Sequence, residues 1–282
     1  MTAILSIQSH VAFGHVGNRA AVFPLERLGH EVIAVNTVDF SNHTGYGVWT
    51  GEVFSPAHVR AILAGVAERG ALKQLDAVLS GYLGDVALGE VVLETVATAR
   101  PAFYACDPVM GDVGRGFFVR PGLPEFIAQR ALPLADLVTP NRFELEFLAG
   151  TEVRTLADAL AATATIRSRG PKLVLVTSLD RKDGASDMIE MLVDTADGAW
   201  LVATPLLPFD PMPNGAGDAV CALFLSHFLR TRDAATALAR AASGIYAIFE
   251  ATKEKGQREL ALIAAQDEFA ATTPRFVAQK VR

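Results

Sequence analysis

Apolar residues along this chain fall into short β-branched runs that alternate with longer stretches of helical period. Residues 3–7 read as a buried strand, and Gly14 and Gly17 mark the turn into a helix through Ala20, Val22, Leu25 and Leu28, with Pro24 near its first turn or at a kink. Residues 31–38 form a second strand. Residues 39–46 then interrupt the pattern with polar and small side chains, and a region this polar between strands is more often function than core. The alternation resumes with a helix over 56–69, a strand over 77–80, a helix over 86–99 and a strand over 102–106. Further strands are expected at 137–139 and 173–177, with helices around 144–148 and over 156–169. This rhythm predicts an α/β fold in which a mostly parallel sheet is covered on both faces.

The last third changes character. Residues 188–193 and 200–203 flank the turn Asp197-Gly198 and read as an antiparallel pair added to the sheet edge. Pro205, Pro208, Pro211 and Pro213 stiffen the approach to Asn214-Gly215-Ala216-Gly217-Asp218, behind which Val220, Leu223, Phe224 and Phe228 repeat at helical spacing. Helices over 233–250 and 260–269 close the chain. No repeat, low-complexity tract or linker divides it, so a single domain over 1–282 is expected.

Composition narrows the function. With 282 residues and 51% hydrophobic content there is ample material for a core, and a formal charge of −6 without a basic cluster excludes a nucleic-acid footprint. The apolar segment 4–7 is too short for a signal peptide, and the run 219–229 is too short to span a bilayer and contains His227. A soluble protein with no membrane partner is expected. Cys106 and Cys221 lie in apolar segments, as inert buried thiols of a reducing cytoplasm do, and the six histidines lack the paired spacing of a zinc site.

The candidate chemistry gathers at strand ends. Ser9, Tyr82, Asp107, Asn141 and Thr177 all fall at or just past the ends of expected strands, where open α/β sheets bind ligands. The glycine loop opens a helix whose first amides lack intrahelical partners and carry the positive end of the dipole, a site for phosphate or for developing negative charge. Asp218 is then either an acid that stabilises that dipole or a general base acting on an alcohol. Gly14 and Gly17 do not match a dinucleotide fingerprint.

Six segments in order carry a resemblance: Gln8-Ser9-His10, residues 40–46, Ser80-Gly81-Tyr82-Leu83-Gly84, residues 106–111, Asn141-Arg142-Phe143-Glu144 and Gly215-Ala216-Gly217-Asp218. Over essentially its whole length the chain resembles the pyridoxal kinases of the ribokinase-like superfamily. The resemblance implies a ribokinase-like three-layer α/β/α sandwich with a mostly parallel central sheet and an antiparallel edge, and transfer of the ATP γ-phosphate to the 5′-hydroxyl of pyridoxal. Asp218 would be the base, with Gly215, Ala216 and Gly217 as anion-hole donors. Mg²⁺ would be held by Glu144 and, through water, by Asp107. Asp107, Thr139, Asn141, Glu144, Thr177, Ser178, Gly215 and Gly217 would meet ATP, although some relatives carry a lysine near Thr177. Ser9 would meet the polar edge of the pyridine ring, His43, Thr44 and Tyr82 would line its pocket, and Val38 and Phe40 would supply apolar walls. Residues 111–116 match a flap, with Arg115 either at a phosphate or in solvent. The resemblance further implies a homodimer and leaves a K⁺-like monovalent cation open. A hydroxymethylpyrimidine or sugar kinase of the same fold is the rival reading, and a non-catalytic carrier of pyridoxal is a reading of another class.

Overall fold

The computed structural model describes residues 2–271 and 273–282. Its first strand, β1 (Thr2–Phe13), runs well past the short stretch expected, because His10, Val11 and Phe13 continue the parallel pairing with β2 (His30–Asn42). Between Gln8, opposite Asn36, and His10, opposite Asp39, the second strand carries one extra residue. Ser9 therefore sits inside a strand, at this irregularity, and not past a strand end. The polar segment from Asp39 likewise remains strand as far as Asn42, and β3 (Gly51–Val53), which the sequence did not indicate, pairs antiparallel to it.

Between these strands lies α1 (Asn18–Arg27), with Pro24 inside it. Ser55 caps α2 (Pro56–Glu68) by accepting from the His58 amide, and Asp85 caps α3 (Val86–Ala99) by accepting from Leu88, each satisfying an otherwise orphaned donor. The intervening strands β4 (Ala77–Ser80) and β5 (Phe103–Cys106) are fully buried. A small antiparallel hairpin, β6 (Gly111–Asp112) with β7 (Gly116–Phe117), stands apart from the main sheet. After α4 (Leu123–Phe126) come β8 (Leu137–Val138), α5 (Arg142–Ala149), α6 (Leu156–Arg167) and β9 (Leu173–Leu179). The expected antiparallel pair is β10 (Met188–Thr195) and β11 (Gly198–Pro205), followed by α7 (Ala216–Thr231), α8 (Ala234–Glu254), α9 (Gln266–Phe269) and β12 (Gln279–Lys280).

The helix expected over 260–269 shrinks to the single turn α9, because the Ala261 amide donates to the Thr252 hydroxyl at 2.9 Å. Strand order is β12-β11-β10-β9-β8-β5-β4-β1-β2-β3, with β9, β8, β5, β4, β1 and β2 mutually parallel and antiparallel strands at both edges. One apolar core lies between the sheet and α2 to α6; the other lies beneath α1, α7, α8 and α9. This is the three-layer α/β/α arrangement, and it brings the carboxyl ends of the parallel strands beside the first turn of α7.

Phe224 is fully buried in the second core, on the helix that presents Asp218. Phe224→Ala is expected to cost about 3–5 kcal/mol of stability, read from the midpoint of urea unfolding.

Candidate active site

α7 begins where the backbone turns sharply. Gly215, its N-cap, has φ +87°, and a Cβ there would stand 1.8 Å from the carbonyl oxygen of His15, so both its conformation and its neighbour demand glycine. At Gly217, one residue into the helix, a Cβ would meet nothing within 4 Å. That open side is the cavity. Burial pushes the Asp218 carboxyl up to about 6, against the backbone amides of Gly17 and of Asp218 itself, which favour its ionised form. A carboxyl raised in this way has the proton affinity that a general base acting on an alcohol would need.

Across the cleft, Asp107 and Glu144 are buried, and the Thr139 hydroxyl donates to Asp107 at 2.9 Å. Burial, then the charges of Asp218 and Glu144, push Asp107 well above the usual carboxylate range. Burial likewise lifts Glu144 to about 8 despite donors on both its oxygens. Met110 N–H reaches one oxygen at 2.8 Å and Asn141 N–H the other at 3.0 Å; in return Glu144 N–H donates to the Asn141 side chain at 2.9 Å. Asn141-Arg142-Phe143-Glu144 is thus a capping box, in which each end satisfies an orphaned amide at the start of α5. The Asn141 side-chain Nδ2 also donates to Gly111 O at 2.8 Å, fastening the base of the β6–β7 hairpin. Among the described residues no three His, Cys, Asp or Glu side chains form a metal cage.

At the other end of the cleft, Val38 is fully buried, Ser9 and His43 are nearly so, and the Tyr82 carbonyl accepts from Thr37 at 2.7 Å. Thr44 lies in a short turn that follows β2. Every site residue named from the sequence lines one cavity of about 700 Å³, together with Asp112 and Arg115 of the hairpin. Sequence reasoning missed Arg258 and Glu259. His43 and Tyr46 both hydrogen-bond Glu259, and the Arg258 guanidinium sits 3.9 Å from the centre of the Tyr46 ring. A glutamate in a charged stretch after a helix gives no signal of a partner 216 positions upstream. Behind Asp107, Cys106 and Cys221 are buried; burial pushes the Cys106 thiol up to about 12 and Cys221 higher than its ordinary value too.

Residues 29–262 match the family described as phosphomethylpyrimidine kinase. A pyridoxal kinase of Rubrobacter xylanophilus is 58% identical over 99% of this chain and 97% of its own length. The chain belongs to the pyridoxal kinase family. A solved pyridoxal kinase of Leishmania donovani, in complex with ADP and ginkgotoxin, superimposes with a TM-score of 0.93 at 30% identity, covering 100% of both chains. The same kinase with ADP and pyridoxamine gives 0.92 at 29%, again over 100% of both chains. This kinase fold thus agrees with the three-layer arrangement expected from the alternation of strands and helices.

Gly215→Ala is expected to cost about 2 kcal/mol or more, whereas Gly217→Ala stays within about 1 kcal/mol of wild type, on the stabilising side; thermal and urea unfolding of the two variants checks the contrast. The raised carboxyl of Asp218 also fixes a sign. Its folded value, about 6, exceeds its ordinary 3.8, so the native state holds the proton that the unfolded state has released. Ligand-free wild type should lose stability relative to Asp218→Asn as pH rises from about 4 to about 7, measured by unfolding across that range.

Proposed function

We propose that this protein transfers the γ-phosphate of ATP to the 5′-hydroxyl of pyridoxal, and also of pyridoxine and pyridoxamine, giving the 5′-phosphates. The observation that carries the reading is Asp218 at the first turn of α7, beside an open glycine position, in one cavity with Ser9, His43, Thr44 and Tyr82. The related kinase bound to ADP and pyridoxamine supports the pairing of a nucleotide with a vitamin-like alcohol. In this mechanism the Asp218 carboxylate takes the hydroxyl proton as the alcohol oxygen attacks the γ-phosphorus. The bond to the bridging oxygen breaks, and ADP leaves with that electron pair. The outward-facing amides of Ala216 and Gly217, with Gly215 holding the turn, stabilise the transferring group through the positive end of the helix. Thr177 and Ser178 would meet the nucleotide phosphates from the end of β9. Ser9 and Tyr82 would orient the pyridine ring between the apolar walls of Val38 and Phe40.

The donor set fits Mg²⁺. Asp107 and Glu144 are hard oxygen ligands buried in a cleft where the charges of Asp218 and Glu144 raise Asp107 and that of Asp112 raises Glu144, a repulsion that a divalent cation relieves. Two carboxylates with no protein cage suit an ion that keeps several waters and phosphate oxygens as ligands. When bound, such an ion neutralises charge on the phosphates. Because Glu144 already accepts from Met110 and Asn141, it would hold the ion while remaining tied to the backbone.

Other parts of the reading concern the setting. One sheet that takes in strands from Thr2 to Lys280 supports treating the chain as one domain. No helix among the described residues is long and apolar enough to cross a membrane, and two buried free thiols suit a reducing cytoplasm. A homodimer belongs to the reading as well, supported by exposed Val48 and Trp49 beside the edge strand β3. Hydroxymethylpyrimidine is the second alcohol to consider, since the matching family is described by its phosphomethyl form.

The deciding assay offers ATP with pyridoxal, pyridoxine, pyridoxamine, hydroxymethylpyrimidine and ribose, with and without Mg²⁺. Pyridoxal should turn over with the highest kcat/KM; a clear preference for another alcohol overturns the pocket reading, and binding of pyridoxal without any turnover favours a carrier. Asp218→Asn should lower kcat by roughly 10²–10⁴ while pyridoxal still binds. In wild type, kcat/KM should rise with pH through about 6, as Asp218 loses its proton.

A further inference from the structure

Glu259 stands behind the wall of the alcohol end of the cleft, and its carboxylate is where separate loops meet. One oxygen accepts from His43 Nε2 at 2.9 Å and from the Tyr46 hydroxyl at 2.7 Å; the other accepts from the His15 amide at 3.0 Å. Both side chains of the histidine pair are secluded, 5% exposed for His43 and 12% for Glu259. Burial pushes the Glu259 carboxyl up, but the bonds from His43, Tyr46 and His15 outweigh it and hold it below its ordinary range. It stays ionised and acceptor-only.

This has a consequence for the imidazole. His43 Nδ1 is buried without a partner among the described residues, so a proton there would be an unsatisfied donor, whereas a proton on Nε2 meets a carboxylate. The ring packs against Tyr46 with centroids 4.7 Å apart, and Arg258 donates to the Gly45 carbonyl in the same turn. On its other oxygen Glu259 grips His15, whose carbonyl seats Gly215 and whose loop continues to Gly17, the amide that favours ionised Asp218. A single side chain thus joins the wall of the alcohol pocket to the loop that braces the base.

We propose that Glu259 is a positioning residue for the alcohol substrate: it fixes His43 in the Nε2–H tautomer and clamps residues 43–46 to the loop at His15. The proposal rests on the reading of this cleft as a pyridoxal kinase site and adds a residue that does not itself line the cavity.

Glu259→Gln tests it, because the amide keeps the shape yet must set a donor against either His15 N–H or the His43 and Tyr46 donors. The expected result is a KM for pyridoxal raised about tenfold or more, with the KM for ATP within about twofold and little change in melting temperature. In the double variant with His43→Ala the two penalties should be less than additive. Tyr46→Phe, which removes one donor and leaves the carboxylate, should raise the pyridoxal KM only several-fold and keep the tautomer. Long-range ¹⁵N–¹H spectra of the histidine rings, recorded without ligand, should give the Nε2–H form of His43 in wild type and a changed form in Glu259→Gln. An Nδ1–H form in wild type, an unchanged tautomer in the variant, or KM values for both substrates rising together with a falling melting temperature would overturn the proposal. If wild type phosphorylates no alcohol, the kinase reading fails, and the spectra alone then decide the role of Glu259.

Discussion

The site depends on one close approach: the backbone of Gly215 lies against the carbonyl of His15, at a distance that no side chain tolerates. The contact presses the first turn of α7 onto the loop between β1 and α1. From that loop the Gly17 amide favours the ionised form of the Asp218 carboxylate. Asp218, a set of unpaired helix amides and the floor of the cleft are thereby brought together by main chain, with the Glu259 side chain as a further tie at His15. Side chains then decorate this frame: Ser9 from the irregularity in β1, and Thr139 and Asp107 from the ends of β8 and β5. A frame made of main chain is less easily disturbed by substitution than one made of side-chain contacts.

The frame carries an electrostatic debt. Asp107, Glu144 and Asp218 share a cleft from which water is partly excluded, and each is harder to ionise for it. The capping box at Asn141 and Glu144 limits the cost by giving one of the three carboxylates backbone donors on both oxygens. A site stored in this state favours cationic company, and phosphoryl transfer is a reaction in which such company arrives with the substrate.

Much of this was legible from the residues because local rules and the tertiary fold agree. Strand 77–80 and helix 86–99 match their observed bounds, since a buried apolar run and a helix opened by Asp85 leave little room for another solution. The glycine loop could be read because backbone approach leaves a compositional trace. Ser9 was misplaced relative to its strand because the extra residue responsible lies on β2, and register is a property of two strands. Residues 260–269 were read as a helix because their apolar content suits one; the Thr252 hydroxyl, a tertiary partner, captures the amide instead. Glu259 lies just before that diversion, and its partners come from the far end of the chain. Nothing local to it could have disclosed them.

The two cysteines have a practical bearing. Thiols that remain protonated at any physiological pH, buried behind Asp107, offer nothing to maleimides or other electrophilic dyes. The native chain is therefore already a cysteine-silent background. A single cysteine engineered at the tip of the β6–β7 hairpin would carry a fluorophore at one defined place, without first stripping the protein of its own sulfur.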